Sequence, residues 1–149
     1  MEIEIKKLKA GDIEQFLDLI RLFERVFEMK DFKMPDHGHL RAVLADEKRF
    51  HVFVALRDDL IVGGLTVYTM QQYYSTRPLA YIFDLAVSQH LQRQGIGNKL
   101  IQHTRTYFAA NGYEEVFVQA DRVDDYALDF YRKTGPTLEE DVIHFTYGF

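Results

Sequence analysis

The chain has 149 residues and no apolar run long enough to span a membrane, which predicts one compact domain over residues 1–149. Apolar residues make up 47% and charged residues 28%, a balance that excludes disordered, collagen-like and coiled-coil chains. The 18 basic and 23 acidic residues leave a formal net charge of −5. This charge argues against binding to nucleic acid and favours a cationic partner.

The chain contains no cysteine, which excludes a disulfide scaffold, a zinc finger, iron–sulfur ligation and a cysteine nucleophile. The two serines, Ser75 and Ser88, lie outside any Gly-x-Ser-x-Gly motif, so a serine hydrolase is excluded as well. The pair His37-Gly38-His39 has no third ligand beside it, and no metal is expected. The N-terminal residues have no apolar signal core, which predicts a cytoplasmic location.

Residue patterns in the first part of the chain predict strands and helices in turn. Alternating apolar residues from Ile3 indicate a strand, and helical spacing follows from Asp12, which forms a capping-box pattern with Gln15. Asp58-Asp59 separates two apolar runs that are typical of a hairpin. The elements predicted here are a strand from Ile3, a helix over Asp12–Met29, a shorter helix capped by Asp36, and strands Phe50–Leu56, Leu60–Met70 and Leu79–Val87.

Helical spacing returns after Val87, and Asn111-Gly112 is a typical helix end. The remaining predicted elements are a helix from Ile96, a buried strand Val116–Ala120, a helix from Asp124 or Asp125 to Gly135-Pro136, and a strand Val142–Tyr147. This order predicts an α/β sandwich in which about four helices flank a mixed central β-sheet, covered on both faces.

A glycine-containing turn, Gln92-Arg93-Gln94-Gly95-Ile96-Gly97, lies between a strand and a helix. Unpaired amides at the helix start, together with the Arg93 charge, suit a pyrophosphate. Leu100 stands where a dinucleotide fingerprint needs its third glycine, and no Gly-Lys-Ser/Thr of a Walker A loop is present. The alternative is a helix start that binds nothing.

Asp84 lies inside an apolar strand, where a carboxylate is costly unless it is paired. It either faces solvent or pairs with a cation such as Arg77, or it acts as a general base beside a cofactor. Tyr131 lies on the inward face of the last predicted helix, where a buried, hydrogen-bonded tyrosine is the ordinary interpretation.

Asp84-Leu85-Ala86-Val87 followed by the Gln92–Gly97 turn resembles the acetyl-CoA signature of the GNAT superfamily of N-acetyltransferases, and Tyr131 matches its second motif. Within that superfamily the chain is most similar to the class I aminoglycoside 3-N-acetyltransferases. Gln92 departs from the arginine usual there, and the stretch 135–138 is slightly long. The segments that carry this closer likeness are Tyr81–Val87, Arg93–Ile96, Val118–Asp121, Asp124-Asp125, Glu139-Glu140 and His144-Phe145.

The resemblance implies direct transfer of acetyl from acetyl-CoA to an aminoglycoside 3-amino group in a ternary complex, with no metal. Asp84 is then the base, and Tyr131 donates a proton to the leaving thiolate. The backbone of Leu85, Ala86 and Val87 holds the pantetheine, with a bulge that frees an N–H for the carbonyl. The pyrophosphate lies on Gln92, Arg93, Gln94, Gly95, Ile96 and Gly97.

A late cluster of acidic residues is expected to attract a small polycationic amine, although such charges also serve as helix caps and solubilising groups. The alternatives are a GNAT enzyme for a polyamine, another small amine or a protein amine, and a non-catalytic acetyl-CoA-binding module. The family also implies a homodimer and a role in antibiotic resistance. The cluster consists of Asp121, Asp124, Asp125, Glu139, Glu140 and Asp141.

Overall fold

A computed structural model describes residues 2–149. Five strands form one mixed sheet in the order β1-β2-β3-β4-β5, antiparallel except for the parallel pair β4 and β5. The predicted fold class is therefore confirmed. The elements are β1 (Glu4–Lys7), α1 (Ile13–Val26), α2 (His37–Ala45), β2 (Phe50–Arg57), β3 (Leu60–Met70), β4 (Leu79–Val87), a 3-10 turn (Gln89–Leu91), α3 (Ile96–Ala110), β5 (Glu115–Val118) and α4 (Asp125–Lys133).

The chain divides into two compact units, the first ending at Gln119 and the second running from Ala120 to Phe149. The first contains the sheet with α1, α2 and α3, and the second contains α4. That residues 1–149 form a single domain stays a prediction. Among residues 2–149, no helix is both long and apolar enough to cross a bilayer.

Helices cover both faces of the sheet, as predicted. Phe50, Val52 and Val54 of β2 belong to the apolar cluster that includes α1 and α2. Phe53, which alternates with them, lies against His103, Tyr107 and Phe108 of α3. The sheet therefore separates an α1 face from an α3 face, because neighbouring residues of a strand point to opposite sides.

Helix caps agree with the prediction at one helix and not at another. The Asp36 carboxylate accepts from the His39 N–H at 3.2 Å at the start of α2. The capping box at Asp12 is wrong, since that carboxylate accepts from the Lys9 N–H at 2.8 Å and lies 3.3 Å from the Lys6 ammonium. These nearer donors outcompete the amides of α1.

Two predictions late in the chain are corrected. Strand β5 is only partly buried and lies at the sheet edge, so Val116–Ala120 is not a buried strand. Val142–Tyr147 forms no strand, and its side chains at 142, 143, 145 and 147 are between 62% and 84% exposed. Alternating β-prone residues become a strand only when another strand pairs with their backbone N–H and C=O groups. The alternation at Val142–Tyr147 was therefore not enough to predict a strand.

Candidate active site

A β-bulge places Asp84 in β4. Leu65 of β3 lies opposite Leu85, and Val67 lies opposite Ile82, so Thr66 faces both Phe83 and Asp84. The bulge removes the Asp84 N–H from the regular ladder, and this N–H donates to Thr66 Oγ1 at 3.3 Å. The bulge was expected around Leu85–Val87 with a free N–H. It lies at 83–84 instead, and the Asp84 N–H has an acceptor.

The bulge brings Phe83 and Asp84 to the same face of the sheet. Ala86 belongs to the cluster on the α1 face, so Asp84, two residues earlier, points the same way. Phe83 contacts Tyr68 with ring centroids 5.5 Å apart, and Tyr68 in turn contacts Phe50 on that face. A regular strand would have placed residues 83 and 84 on opposite faces.

The Asp84 carboxyl is half-buried, and desolvation raises its pKa above the ordinary value of 3.8. Arg77, the suggested structural partner, lies 3.3 Å from Glu114 instead. Within residues 2–149 no cation forms an ion pair with Asp84. A half-buried carboxyl with a raised pKa suits a group that binds an ammonium and accepts its proton.

The edge of β4 that faces β5 is open next to Asp84. Strands β4 and β5 pair from Leu79 with Glu115 to Ile82 with Val118, and no pair follows. On its other edge β4 stays paired with β3 through Leu85, Ala86 and Val87. One edge of these three residues is therefore available to a ligand that binds as an added strand.

The start of α3 forms a concave turn of backbone amides. Arg93 and Gly95 both have left-handed φ angles, 63° and 86°. The Lys99 N–H makes the first bond of the helix, to the Gly95 carbonyl at 3.0 Å, so earlier amides point out of the helix end. Gln92 Nε2 donates to the Val87 carbonyl at 3.1 Å and ties the turn to β4. Outward-pointing amides at a helix start suit an anion, and a methyl group placed on Gly95 would meet no heavy atom within 4 Å.

The second unit carries Tyr131 and the acidic cluster. Tyr131 is half-buried on α4, with its ring 4.9 Å from that of Phe130. Three of the six acidic residues have local partners: Asp124 caps α4 through the Ala127 N–H at 3.0 Å, Glu139 binds Arg132 with two hydrogen bonds of 2.9 and 3.0 Å, and Asp141 pairs with Arg122. Asp121, Asp125 and Glu140 are exposed.

The first unit thus holds Asp84, the open edge and the whole 92–97 turn. Sequence reasoning missed Thr66 and Tyr68, because only strand register shows that they lie near Asp84. It also missed that Phe83, the neighbour of Asp84 in the chain, lies on the same face. Over residues 2–149, no group of three or more metal-ligating side chains is found.

Comparison with known families identifies the chain. Residues 14–135 match the Acetyltransferase (GNAT) family. The chain belongs to this family. An aminoglycoside acetyltransferase from an uncultured soil metagenomic sample, solved in complex with sisomicin, is 57% identical to this GNAT chain with a TM-score of 0.96, over 99% of this chain and 96% of that one. A second soil metagenomic aminoglycoside acetyltransferase is 29% identical with a TM-score of 0.92, over 100% and 99%.

One more distant solved structure shares the fold, and a curated protein is similar in sequence. The aminoglycoside N-acetyltransferase AAC(6')-Iy in complex with CoA is 14% identical, with a TM-score of 0.78 over 98% of this GNAT chain and 95% of that chain. The histone acetyltransferase GCN5 of Yarrowia lipolytica is 24% identical over 93% of this chain. The chain spans only 28% of the length of this curated relative.

Proposed function

We propose that the protein transfers the acetyl group of acetyl-CoA to an amine of an aminoglycoside, and that the 3-amino group is the position modified. The observation that carries this proposal is the 57% identity, over 99% of the chain, to an aminoglycoside acetyltransferase solved with sisomicin. Membership of the GNAT family supports the reaction, and the net charge of −5 suits a polycationic acceptor.

Asp84 is the proposed general base. An amine that carries a proton has no lone pair for attack, so a group in the site must remove that proton. The half-buried carboxylate, which has no ion-pair partner within residues 2–149, binds the ammonium and then accepts its proton. Its raised pKa makes it a stronger base than an exposed aspartate.

The cofactor is assigned to the open edge and the turn before α3. Acetyl-CoA, when bound, supplies the acetyl group as a thioester. The free edge at Leu85–Val87 offers backbone groups to the pantetheine amides, and the outward amides of the 92–97 turn offer donors to the pyrophosphate.

The remaining roles are proposals from the family resemblance. Tyr131 is the proton donor to the leaving sulfur, and Asp121, Asp125 and Glu140 attract the acceptor, together with Asp124 and Glu139, whose carboxylates also have structural partners. We further propose a homodimer, a cytoplasmic location and a contribution to antibiotic resistance.

Thiol release from acetyl-CoA tests the proposal with gentamicin, sisomicin, kanamycin, spermidine and a basic peptide as acceptors. We expect turnover of the aminoglycosides at a kcat/KM at least about tenfold above that of spermidine or the peptide, and NMR of the product to show acetyl on the 3-amino nitrogen. If spermidine or the peptide were acetylated and no aminoglycoside were, the acceptor would be a polyamine or a protein amine instead. Thermal stabilisation by CoA without turnover of any amine would leave a non-catalytic binding module.

A further inference from the structure

We propose that a row of four aromatic side chains beside Asp84, two of them exposed and two half-buried, is the surface on which the sugar ring of a cationic aminosugar packs. We call Tyr68, Phe83, Tyr81 and Phe117 the aromatic row. This inference rests on the proposed function, since it concerns how the same site selects its acceptor.

The aromatic row is continuous across three strands. Ring centroids are 5.5 Å apart between Tyr68 and Phe83, 5.9 Å between Phe83 and Tyr81, and 4.7 Å between Tyr81 and Phe117. The first two pairs are edge-to-face, and the last is stacked with 6° between the planes. Tyr68 also contacts Phe50, so one end of the row is anchored in the core and does not have to order on binding.

Two rings of the aromatic row are exposed where rings are normally covered, and the other two are half-buried. Phe83 is 54% and Tyr68 is 43% exposed, although both belong to central strands of the sheet. Strand positions on the same face nearer to α1, such as Val52 and Phe50, are at most 7% exposed. A contiguous apolar surface that is partly open to solvent in this way is typical of a binding site.

Charge decides which ligand fits. Asp84 lies on the same face as Phe83, next to it in the bulge. The pKa of Tyr68 is raised by burial and also by the nearby negative charge of Asp84. No cation of residues 2–149 pairs with its carboxylate. A ligand that complements this surface therefore has a positive charge beside an apolar face.

An aminosugar has both parts. The C–H groups of its ring form an apolar face that packs on aromatic rings, and its ammonium groups bind a carboxylate and lie favourably over ring faces. A linear polyamine has the charges without the ring face. The aromatic row thus favours aminosugars over polyamines.

Calorimetric binding of sisomicin and of spermidine, together with KM and kcat for both, tests the inference. Phe83→Ala is expected to weaken sisomicin binding and raise its KM by about five- to tenfold, with kcat changed less than about threefold. Spermidine binding should change less than about twofold. Phe83→Tyr, which retains the ring, and Tyr68→Phe, which removes only a hydroxyl, should keep sisomicin affinity within about twofold.

The matched control is Tyr73→Ala, which removes a 98% exposed tyrosine outside the aromatic row. It should change neither ligand. Equal losses for sisomicin and spermidine in Phe83→Ala, or none for sisomicin, would overturn the inference. The inference would also be overturned if Phe83→Ala bound sisomicin as the wild type does but had a lower mass by light scattering, because the aromatic row would then be an interface between copies of the chain. Failure of wild-type protein to bind or acetylate any aminoglycoside would instead refute the proposed function.

Discussion

Single residues show how strongly environment modifies side-chain chemistry in this fold. Asp84 was recognisable from the sequence as a carboxylate in an apolar strand, but its neighbours were not. Thr66 and Tyr68 are distant along the chain and reach Asp84 only through the register of β3 on β4. The sequence did not point to His51. It is nevertheless a second group with a shifted pKa, which burial lowers to about 4.

Asp84→Asn is expected to lower kcat/KM by at least about 100-fold, because the amide cannot accept a proton. In the wild type, activity should fall as pH decreases through the Asp84 pKa, which desolvation raises above 3.8. The variant should lose that acid limb and retain only the titration of the acceptor amine. Rates measured from pH 5 to 9 check this. Asp58→Asn in the β2–β3 turn is the control, and a rate within a few-fold of wild type for Asp84→Asn at every pH would remove its role as base.

His51 is expected to make the fold acid-sensitive. Its Nε2 lies 3.0 Å from Thr69 Oγ1, and its ring meets Phe108 edge-on at 5.0 Å, an environment that favours the neutral imidazole. Since the pKa is lower in the folded protein, this stabilisation is complete above the unfolded value of 6.5 and is lost as pH falls towards 4. Urea unfolding should show a loss of about 2–3 kcal/mol over that range.

The variant His51→Phe keeps a ring against Phe108 and removes the titrating group. It should flatten the stability profile between pH 6.5 and 4. His144→Gln, at an exposed position, should leave the wild-type profile intact. An unchanged slope in His51→Phe would assign the acid sensitivity to other groups.

At the scale of elements, the sequence predicted most helices and strands of the first unit and one strand pairing, the hairpin of β2 and β3, but neither the register nor the other pairings. Leu60–Met70 and Leu79–Val87 have the predicted bounds. Neither the bulge at 83–84 nor the divergence of β4 from β5 after Ile82 is visible in the residues. Both features depend on which strand lies alongside, and local spacing carries no information about that.

The turn before α3 is expected to depend on the left-handed φ of Gly95. Gly95→Ala should lower stability by about 1 kcal/mol and raise KM for acetyl-CoA by about tenfold, because strain deforms the amide turn. Gly112→Ala is a matched control: its φ of 80° is close to the 86° of Gly95, and neither site has a neighbour within 4 Å of an added methyl. It should lose similar stability without a change in KM. Equal KM values for the two variants would contradict the proposal that the 92–97 turn binds the pyrophosphate.

For the whole molecule, the excess of acidic residues is expected to appear as a salt effect. Raising ionic strength from about 0.05 to 0.5 M shortens the screening length severalfold and should raise KM for gentamicin several-fold. Glucosamine, with one charge, should respond much less. Initial rates at several salt concentrations measure both effects. Equal responses of the two acceptors would show that the net charge of −5 plays no part in acceptor binding.

The sequence by itself determined the class of fold, the glycine turn before α3 and the identity of the candidate base, because these depend on local spacing and on residue chemistry. Tertiary structure alone decided that Phe83 and Asp84 share a face, that the β4 edge is open at Leu85–Val87, and that Val142–Tyr147 is not a strand. The physical reason is the same in each case. Strand pairing satisfies backbone groups between distant segments, and a shift of one residue reverses every side chain that follows.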